Sequence, residues 1–366
     1  MGRRLLTAAG ATTVAAIVLW GDGAHSQSKV PINPPYRIIA DWPQAPVGLK
    51  LGAVPGIDIG PDGNIYAFHR CGADSCIGST DPAILKFDRS GKLLNSWGAG
   101  MFNFPHGMDI DHEGFVWVAD ATGLSASQRT ENGKGHQVFK FSPDGKLLMT
   151  LGRAGVGGSG PDTLFAPTDV AIASNGEIFV TDGHSCNANN AAYCNARVVK
   201  YSKEGKFIKA FGKTGSNVGE FRSPHCLAID SRGRVIVCDR GNARLQVFDQ
   251  EGRLLDVWQG WGRPTGIFIK IDTLYITDSL ANVAQGKVDP GLVPMATGIY
   301  VGSAQDGSVK WFIPDEFAGP EDITVDALGD LYVGESRPQT IRKFVLDPER
   351  LLLGDPELRE ATSKKR

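Results

Sequence analysis

One hairpin pattern occurs six times in this chain, and it constrains the fold more than any other feature. The clearest copy is FPHGMDIDHEGFVWVAD from Phe104, in which a proline precedes two short strands of alternating apolar residues around a turn with Gly114. Alternation with a period of two, bounded by turn residues, is typical of a β-hairpin. The other copies begin at Val54, Ala166, Ser223, Arg263 and Gly319. Copies that recur every ~40–60 residues predict a β-propeller.

Two further strand types complete each repeat. A third strand follows every hairpin, as in ILKFD from Ile84, and a fourth such as LLNSW from Leu93 follows the first five. The last repeat ends with IRKFV from Ile341, while one spare outer strand, Tyr36 to Trp42, precedes the first repeat. We therefore predict an all-β fold of six four-stranded blades, closed by the N-terminal strand in the last blade, which leaves fewer exposed sheet edges.

The chain before and after the repeats has a different composition. Residues 1–26 have the form of an export signal, with Arg3 and Arg4 ahead of an apolar run to Trp20. An uncleaved membrane anchor is the alternative, although the run is short for a span. We expect an exported protein, periplasmic or secreted, with no stable membrane insertion after cleavage.

The remaining boundaries follow from the repeats. A Pro-rich lead covers residues 27–35, the propeller covers 36–347, and residues 348–366 form a tail. A net charge of -2 gives no basic footprint for a nucleic-acid partner.

The six cysteines agree with an oxidising compartment, because they form an even set with short separations. We expect the disulfides Cys71–Cys76 and Cys186–Cys194. Cys226 and Cys238 lie at the two ends of one hairpin, so a third bridge there remains open. Metal binding by these thiols is the rival interpretation, and no CxxC pair supports it.

The residue after the first proline of each hairpin differs between blades. It is His106, His225 and Glu321 in blades two, four and six, and Gly or Thr in the others. Alternate blades of a sixfold ring are related by a threefold rotation, so these three side chains are expected to converge on the axis. Two imidazoles and a carboxylate match a catalytic divalent metal site, with zinc the default. The alternative is that they are ordinary polar residues at a channel mouth.

Four histidines lack this placement and are expected at the surface or behind the metal ligands: His69, His112, His136 and His184.

Two departures at the other end of the hairpins suggest substrate binding. Most second strands end in Asp or Glu, but blade one ends in His69-Arg70, and Asp239 is followed by Arg240. Two guanidiniums at one rim suit an anionic ligand such as a carboxylate, whereas surface salt bridges are the alternative.

The loop from Gly183 to Arg197 is also specific to its blade. It places Tyr193 beside Cys194, where a tyrosine near arginines and a metal has a lowered pKa and acts as a base. A packing role is the alternative for this residue.

At these residues the chain resembles the peptidyl-α-hydroxyglycine α-amidating lyases, which are NHL-repeat propellers. The motifs FHR, FPHG, YCN-R, SPH and DRGN-R carry the resemblance, which runs from about Leu51 to Phe344. It implies a zinc on three histidines, two of which match His106 and His225. The third falls on Glu321, which is a departure from the family.

The same resemblance implies roles for further residues. The catalytic Tyr and Arg residues of the family match Tyr193, Arg70 and Arg240. A structural calcium is implied at Asp322, with the backbone carbonyls of Ile57 and Met108. In the family, the cysteine that matches Cys194 forms a disulfide with a cysteine that this chain lacks. The resemblance implies that Cys186 takes the place of that partner.

The expected function is therefore an exported metal-dependent lyase that cleaves the N–C bond of a carbinolamide, such as a peptidyl-α-hydroxyglycine, to an amide and glyoxylate. No redox cofactor is needed. The hydroxylase half found in the family is absent, so a separate enzyme is expected to supply the substrate. The alternatives are a metal-dependent propeller enzyme for another small hydroxy acid or lactone, and a non-catalytic NHL binding module.

Overall fold

The computed structural model describes residues 36–347, except residues 41, 45, 47, 123–129, 131, 185, 187–193, 281–296 and 316–318. The predicted signal at residues 1–26, the lead, the tail and Tyr193 lie outside the described residues. Among the helices of the described part, none is long and apolar enough to cross a membrane.

The described strands form six antiparallel four-stranded sheets, which confirms the predicted propeller. Blade one contains β2 (Gly56–Ile59), β3 (Ile65–Phe68), β4 (Ile84–Phe87) and β5 (Leu93–Trp97). Blade two contains β6 (Phe104–Ile110), β7 (Val116–Ala121), β8 (Gln137–Phe141) and β9 (Leu147–Leu151). Blade three contains β10 (Pro167–Ile172), β11 (Ile178–Asp182), β12 (Arg197–Tyr201) and β13 (Phe207–Phe211). Blade four contains β14 (Pro224–Ile229), β15 (Val235–Asp239), β16 (Arg244–Phe248) and β17 (Leu254–Trp258). Blade five contains β18 (Gly266–Lys270), β19 (Thr273–Asp278), β20 (Gly298–Ser303) and β21 (Val309–Pro314). Blade six contains β22 (Pro320–Val325), β23 (Leu331–Glu335), β24 (Ile341–Leu346) and β1 (Tyr36–Ile39).

The ring closes through the N-terminal strand, as the strand count predicts. β1 pairs antiparallel with β24, with Tyr36 opposite Leu346 and Ile39 opposite Lys343. This pairing satisfies the outer edge of blade six with backbone from the other end of the chain. The first and last repeats are therefore held in one sheet.

The hydrophobic core lies between neighbouring blades. The second and third strands are almost wholly buried, as in β11 and β16, whereas outer strands such as β13 contain only exposed and half-buried residues. The largest buried side chains include Trp117 and Trp261. Burial of apolar side chains on both faces explains the continuous apolar runs in the middle strands.

The acidic residue that ends most second strands braces the start of its own blade. Asp120 accepts hydrogen bonds from the backbone N–H groups of Asn103 and Phe104, at 3.0 and 2.7 Å to its Oδ1 atom. Asp182, Asp239 and Asp278 do the same for the first residues of their blades. These bonds fix the segments from which the central side chains project.

Blade one uses a histidine for this brace. The Nδ1 atom of His69 accepts from the N–H of Gly52 at 3.3 Å and from that of Cys71 at 3.2 Å. The exception in the repeat pattern at His69 is therefore structural, and the next residue, Arg70, is left to point inward.

Three disulfides join all six cysteines: Cys71–Cys76, Cys186–Cys194 and Cys226–Cys238. The first two follow the predicted short loops. The third joins the start of β14 to the end of β15, which answers the question left open by the sequence.

Candidate functional site

The starts of the inner strands bring His106 and His225 together near the propeller axis. Their ring centroids are 4.5 Å apart, and both side chains are buried. The Nδ1 atom of His106 lies 2.7 Å from the carbonyl oxygen of Thr168, and that of His225 lies 2.6 Å from the carbonyl oxygen of Thr265. Each imidazole thus donates from Nδ1 to the next blade, and its Nε2 lone pair faces the cavity.

Threonines continue this chain of contacts around the ring. The hydroxyl of Thr168 donates to the carbonyl of Pro224 at 2.9 Å, and that of Thr265 donates to the carbonyl of Pro320 at 3.0 Å. Histidine and threonine therefore alternate as links between successive blades. The histidines differ in that each keeps a second nitrogen for the cavity.

Neither Nε2 atom of His106 and His225 has a hydrogen-bond partner among the described residues. A buried acceptor without a partner costs about 1–3 kcal/mol, so two such atoms facing each other call for a shared ligand. Metal-binding histidines commonly have this arrangement, with the other ring nitrogen held by a carbonyl.

His184 is a third imidazole in the same cavity. Its ring centroid is 4.9 Å from that of His106 and 5.5 Å from that of His225. One potential ligand atom from each of the three lies within 4.8 Å of the others. His184 follows β11 rather than starting an inner strand, so alignment of the repeats did not select it. It stands two residues after Asp182, one residue beyond the position that Arg70 and Arg240 occupy in other blades.

The three imidazoles are held in their neutral form. Burial lowers the pKa of each well below the usual histidine value, and the nearby positive charge of Arg240 lowers it further. Neutral imidazoles have lone pairs available for a metal at ordinary pH.

Glu321 lies at the His225 side of this cluster. Its Oε1 atom is 3.5 Å from the Nε2 atom of His225, and its Oε2 atom accepts a hydrogen bond of 2.8 Å from the hydroxyl of Ser279. Glu321 is buried, and it comes from the start of β22. The three residues predicted from alternate blades thus approach one another, and Glu321 contacts His225.

Arg70 and Arg240 border the same cavity. The Nε atom of Arg70 donates to the carbonyl of Pro105 at 3.1 Å, and its guanidinium stacks on Phe104, 3.6 Å from the ring centroid. The Nη2 atom of Arg240 lies 3.5 Å from the Nε2 atom of His184. Neither forms an ion pair with a carboxylate in the described part of the chain, so the contacts there do not support the alternative of surface salt bridges.

Burial sets the state of these two cations. It lowers the pKa of Arg70 and of Arg240 to about 10, while the negative charge of Glu321 opposes the shift. Both therefore stay charged near neutral pH and present positive charge to the cavity. We call the region bounded by these six side chains the imidazole cavity: Arg70, His106, His184, His225, Arg240 and Glu321.

Two of the other histidines do not lie at the surface, which is one of the two positions expected for them. His69 and His136 are fully buried, and the Nδ1 atom of His136 accepts from the N–H of Ala166 at 3.0 Å. Backbone donors inside the fold need acceptors, and the imidazoles supply them. His112 is exposed, as expected.

A second cavity lies further along the inner strands. It has a volume of about 140 Å³, and its lining includes Ile57, Met108 and four aspartates. We call it the aspartate cavity after its acidic residues: Asp58, Asp109, Asp169 and Asp322.

These aspartates also link successive blades. Asp322 accepts from the N–H of Ile57 at 2.9 Å, and Asp58 accepts from the N–H of Ile110 at 2.7 Å. Burial raises the pKa of Asp58 to about 6 and that of Asp169 to about 8. Four carboxyls around one small space fit a hard cation with oxygen ligands, such as calcium.

Together, the imidazole cavity offers metal-binding nitrogens, a carboxylate and two cations within one buried chamber. Imidazole and carboxylate groups are of the types that bind a divalent metal, and guanidiniums are of the type that binds an anion. The sequence-predicted Tyr193 is not among the described residues, but Cys194 next to it is disulfide-bonded to Cys186, two residues after His184.

Comparison with known proteins places these features in context. The family model of the NHL repeat matches residues 221–248, within blade four. Peptidyl-glycine alpha-amidating monooxygenase A of Xenopus laevis is 30% identical over 346 residues, covering 83% of this chain and 32% of that protein. Peptidyl-alpha-hydroxyglycine alpha-amidating lyase 1 of Drosophila melanogaster is 30% identical over 356 residues, covering 86% and 60%.

A relative of similar length also matches. NHL repeat-containing protein 3 of Mus musculus is 30% identical over 326 residues, covering 86% of this chain and 85% of that protein. Among solved structures, a gluconolactonase from Xanthomonas campestris has a TM-score of 0.55 at 16% identity, covering 87% of this chain and 99% of that one, and it supports the fold alone. The chain spans about a third of the amidating monooxygenase, so that whole protein's activity does not transfer directly.

Proposed function

Because the chain belongs to the NHL-repeat propeller family that includes the peptidyl-α-hydroxyglycine α-amidating lyases and NHL repeat-containing protein 3, we propose that it is a metal-dependent carbon–nitrogen lyase. Its substrate is a carbinolamide with a carboxylate, such as a peptidyl-α-hydroxyglycine, and its products are an amide and glyoxylate. The imidazole cavity is the observation that carries the proposal, because neutral imidazoles lie next to buried guanidiniums that have no carboxylate partner among the described residues.

The residues present fit a divalent metal such as zinc. His106 and His225 direct buried, unpartnered Nε2 atoms at the same space, and Glu321 adds a negative charge 3.5 Å from one of them. These residues would hold the metal. When bound, it supplies Lewis-acid chemistry that acidifies the substrate hydroxyl.

Arg70 and Arg240 bind the substrate carboxylate in this proposal. A guanidinium matches a carboxylate with two parallel N–H donors, and burial strengthens that contact. The bond to Pro105 and the stacking on Phe104 hold Arg70 in place before substrate arrives. The carboxylate is therefore fixed beside the carbon that carries the hydroxyl.

Tyr193 is the proposed base. As a phenolate it removes the hydroxyl proton, the O–H electron pair becomes the second C–O bond of glyoxylate, and the C–N bond breaks. The departing nitrogen takes up a proton and becomes the amide. The positive charges of Arg70 and Arg240 favour the ionised tyrosine.

Further proposals concern the setting of the enzyme. Export to the periplasm or the exterior is supported by the three disulfides. A structural calcium in the aspartate cavity, held by Asp322 with carbonyls of Ile57 and Met108, is supported by the four facing carboxyls. A separate hydroxylating enzyme supplies the substrate.

The direct test is release of glyoxylate from an N-acyl-α-hydroxyglycine by purified, metal-loaded protein. We expect turnover that stops after metal removal and returns after metal addition. Small lactones and other hydroxy acids serve as competing substrates. Turnover of those alone would replace the lyase assignment, and no metal binding together with no turnover would indicate a binding module.

A further inference from the structure

We propose that the metal centre of this chain has four protein ligands rather than three, and that it therefore works with a divalent metal that accepts five or six ligands. The proposed ligands are His106, His184, His225 and Glu321. This inference rests on the proposed metal-dependent function, and it specifies the ligand set and the class of metal.

His184 enters the ligand set through its position. Its ring contacts both of the other imidazoles, and one ligand atom from each of the three lies within 4.8 Å of the rest. Two atoms on opposite sides of a metal are separated by about twice a bond length of 2.0–2.1 Å, and neighbouring ligands lie closer. The cluster is thus compact enough to contract onto one ion with small side-chain movements.

The backbone supports this position. His184 follows Gly183, whose φ of 123° is unfavourable for residues with a side chain, and Cys186 is anchored by its disulfide. The N–H of His184 donates to the carbonyl of Ala166 at 3.1 Å. The backbone of His184 is therefore held against the start of blade three.

Glu321 enters the set through one distance. Neighbouring ligands at 2.0–2.1 Å from an ion with five or six ligands are about 2.8–3.6 Å apart, and Oε1 of Glu321 lies 3.5 Å from Nε2 of His225. A single ion can therefore bind both atoms with almost no movement of either. Ser279 holds the other carboxylate oxygen by its 2.8 Å hydrogen bond and so directs Oε1 toward the histidine.

The count of ligands decides the class of metal. Catalytic zinc commonly has three protein ligands and one open position, whereas four protein ligands close a tetrahedral shell. A substrate hydroxyl could then bind only if the shell expands. Mn²⁺, Fe²⁺ and Co²⁺ take five or six ligands readily, and imidazole with carboxylate is a suitable donor set for them. Zinc is expected to bind tightly but to be a poor activator.

Cobalt absorption provides a test that does not depend on turnover. Co²⁺ absorbs visible light strongly when it has four ligands and much more weakly when it has five or six. The metal-free full-length chain is titrated with Co²⁺ while excess Ca²⁺ fills the aspartate cavity. We expect one tightly bound Co²⁺ with weak visible absorption, because four protein ligands and water complete the shell.

Two variants identify the extra ligands. His184→Ala and Glu321→Gln each remove one ligand, so we expect at least tenfold weaker Co²⁺ binding. We also expect stronger visible absorption than in the parent, because the shell contracts to four. The matched control is His112→Ala, an exposed histidine outside the cavity, which should change neither property. Circular dichroism and melting of each variant establish that it is folded.

The outcomes separate this inference from the proposed function. Strong absorption by the parent protein, or unchanged affinity and spectrum in either variant, would overturn the four-ligand set even if glyoxylate is released. The expected spectra without any turnover of hydroxyglycines would support the ligand set and remove the lyase proposal. Absence of Co²⁺ binding to the parent would overturn both.

Discussion

The two cavities along the propeller axis are built on the same inner strands but have opposite chemistry. In β6, His106 faces the imidazole cavity and Asp109, three residues later, lines the aspartate cavity. One cavity combines neutral imidazoles and one carboxylate with two cations, whereas the titratable groups that line the other are all carboxyls. A single strand therefore contributes to both, and its position along the axis decides which chemistry the residue joins.

The two cavities also differ in how their side chains link successive blades of the propeller. Asp58, Asp169 and Asp322 use a carboxylate oxygen to accept a backbone N–H from the next blade. The histidines use only Nδ1 in this way and keep Nε2 for the cavity. We infer that the aspartate cavity mainly stabilises the ring and that the imidazole cavity mainly performs chemistry.

The largest expected effect comes from removing one of the side chains proposed to bind the metal. His225→Ala should lower turnover by at least about 10²-fold, because the metal's several kcal/mol of transition-state stabilisation is lost. Its melting temperature should change little, since the ring keeps its other links. Steady-state kinetics, metal content and thermal melting measure this. A large fall in melting temperature with metal retained would contradict the division between the cavities.

Tyr193→Phe tests the proton acceptor on the chemical side of the comparison. Loss of the phenolic oxygen should lower turnover by ~10²-fold while metal content stays the same. The measurement is kcat at saturating substrate, together with metal analysis. Near-parental kcat would return Tyr193 to a packing role.

The two arginines test carboxylate recognition. Arg70→Lys and Arg240→Lys keep the charge but lose the planar pair of donors, so kcat/KM for a free carboxylate should fall about 10- to 100-fold. The corresponding ester, which lacks the anion, should show a much smaller loss. Equal losses for acid and ester would mean that these residues position other groups and do not bind the carboxylate.

The fold was predictable because the repeat itself encodes it. Six copies of one alternating pattern specify six hairpins, and the unmatched strand at Tyr36 specifies the closure with β24. The same alignment selected His106 and His225, because equivalent positions in related blades point toward a common axis.

The rest of the site comes from residues that break the repeat. His184 lies in an irregular segment after β11, so no periodic pattern indicates where its side chain points. The burial of His69 was likewise hidden, because its role as a hydrogen-bond acceptor replaces an aspartate found in other blades. Such positions depend on local backbone geometry rather than on alternation.

On the structural side of the comparison, Asp322→Asn should remove the response to calcium. Asn can still accept the N–H of Ile57, so the link across the seam between blades six and one is kept while the charge is lost. Calcium at 100 times its Kd should raise the free energy of unfolding of the parent by about 2.7 kcal/mol and that of the variant much less.

Denaturant unfolding with calcium or with a calcium-selective chelator measures this difference, and kcat is measured in parallel. Turnover per folded molecule should remain close to that of the parent. An equal calcium response in both proteins would place the ion elsewhere.

The smallest expected effect concerns Asp120, which braces the strand start that carries His106. Burial raises the pKa of Asp120 to about 7, against an unfolded value near 3.9. The folded state therefore favours the protonated form, and the stability that this group contributes is present below about pH 4 and is lost as the pH rises through 7. Asp120→Asn cannot titrate at this position, so between pH 4 and 7 its free energy of unfolding should fall less than that of the parent, by at least about 1 kcal/mol.

Urea unfolding across this pH range measures how the free energy of unfolding changes with pH, with the exposed Asp162→Asn as a matched control. Parallel curves for the parent and Asp120→Asn would show that this brace does not couple protonation to stability.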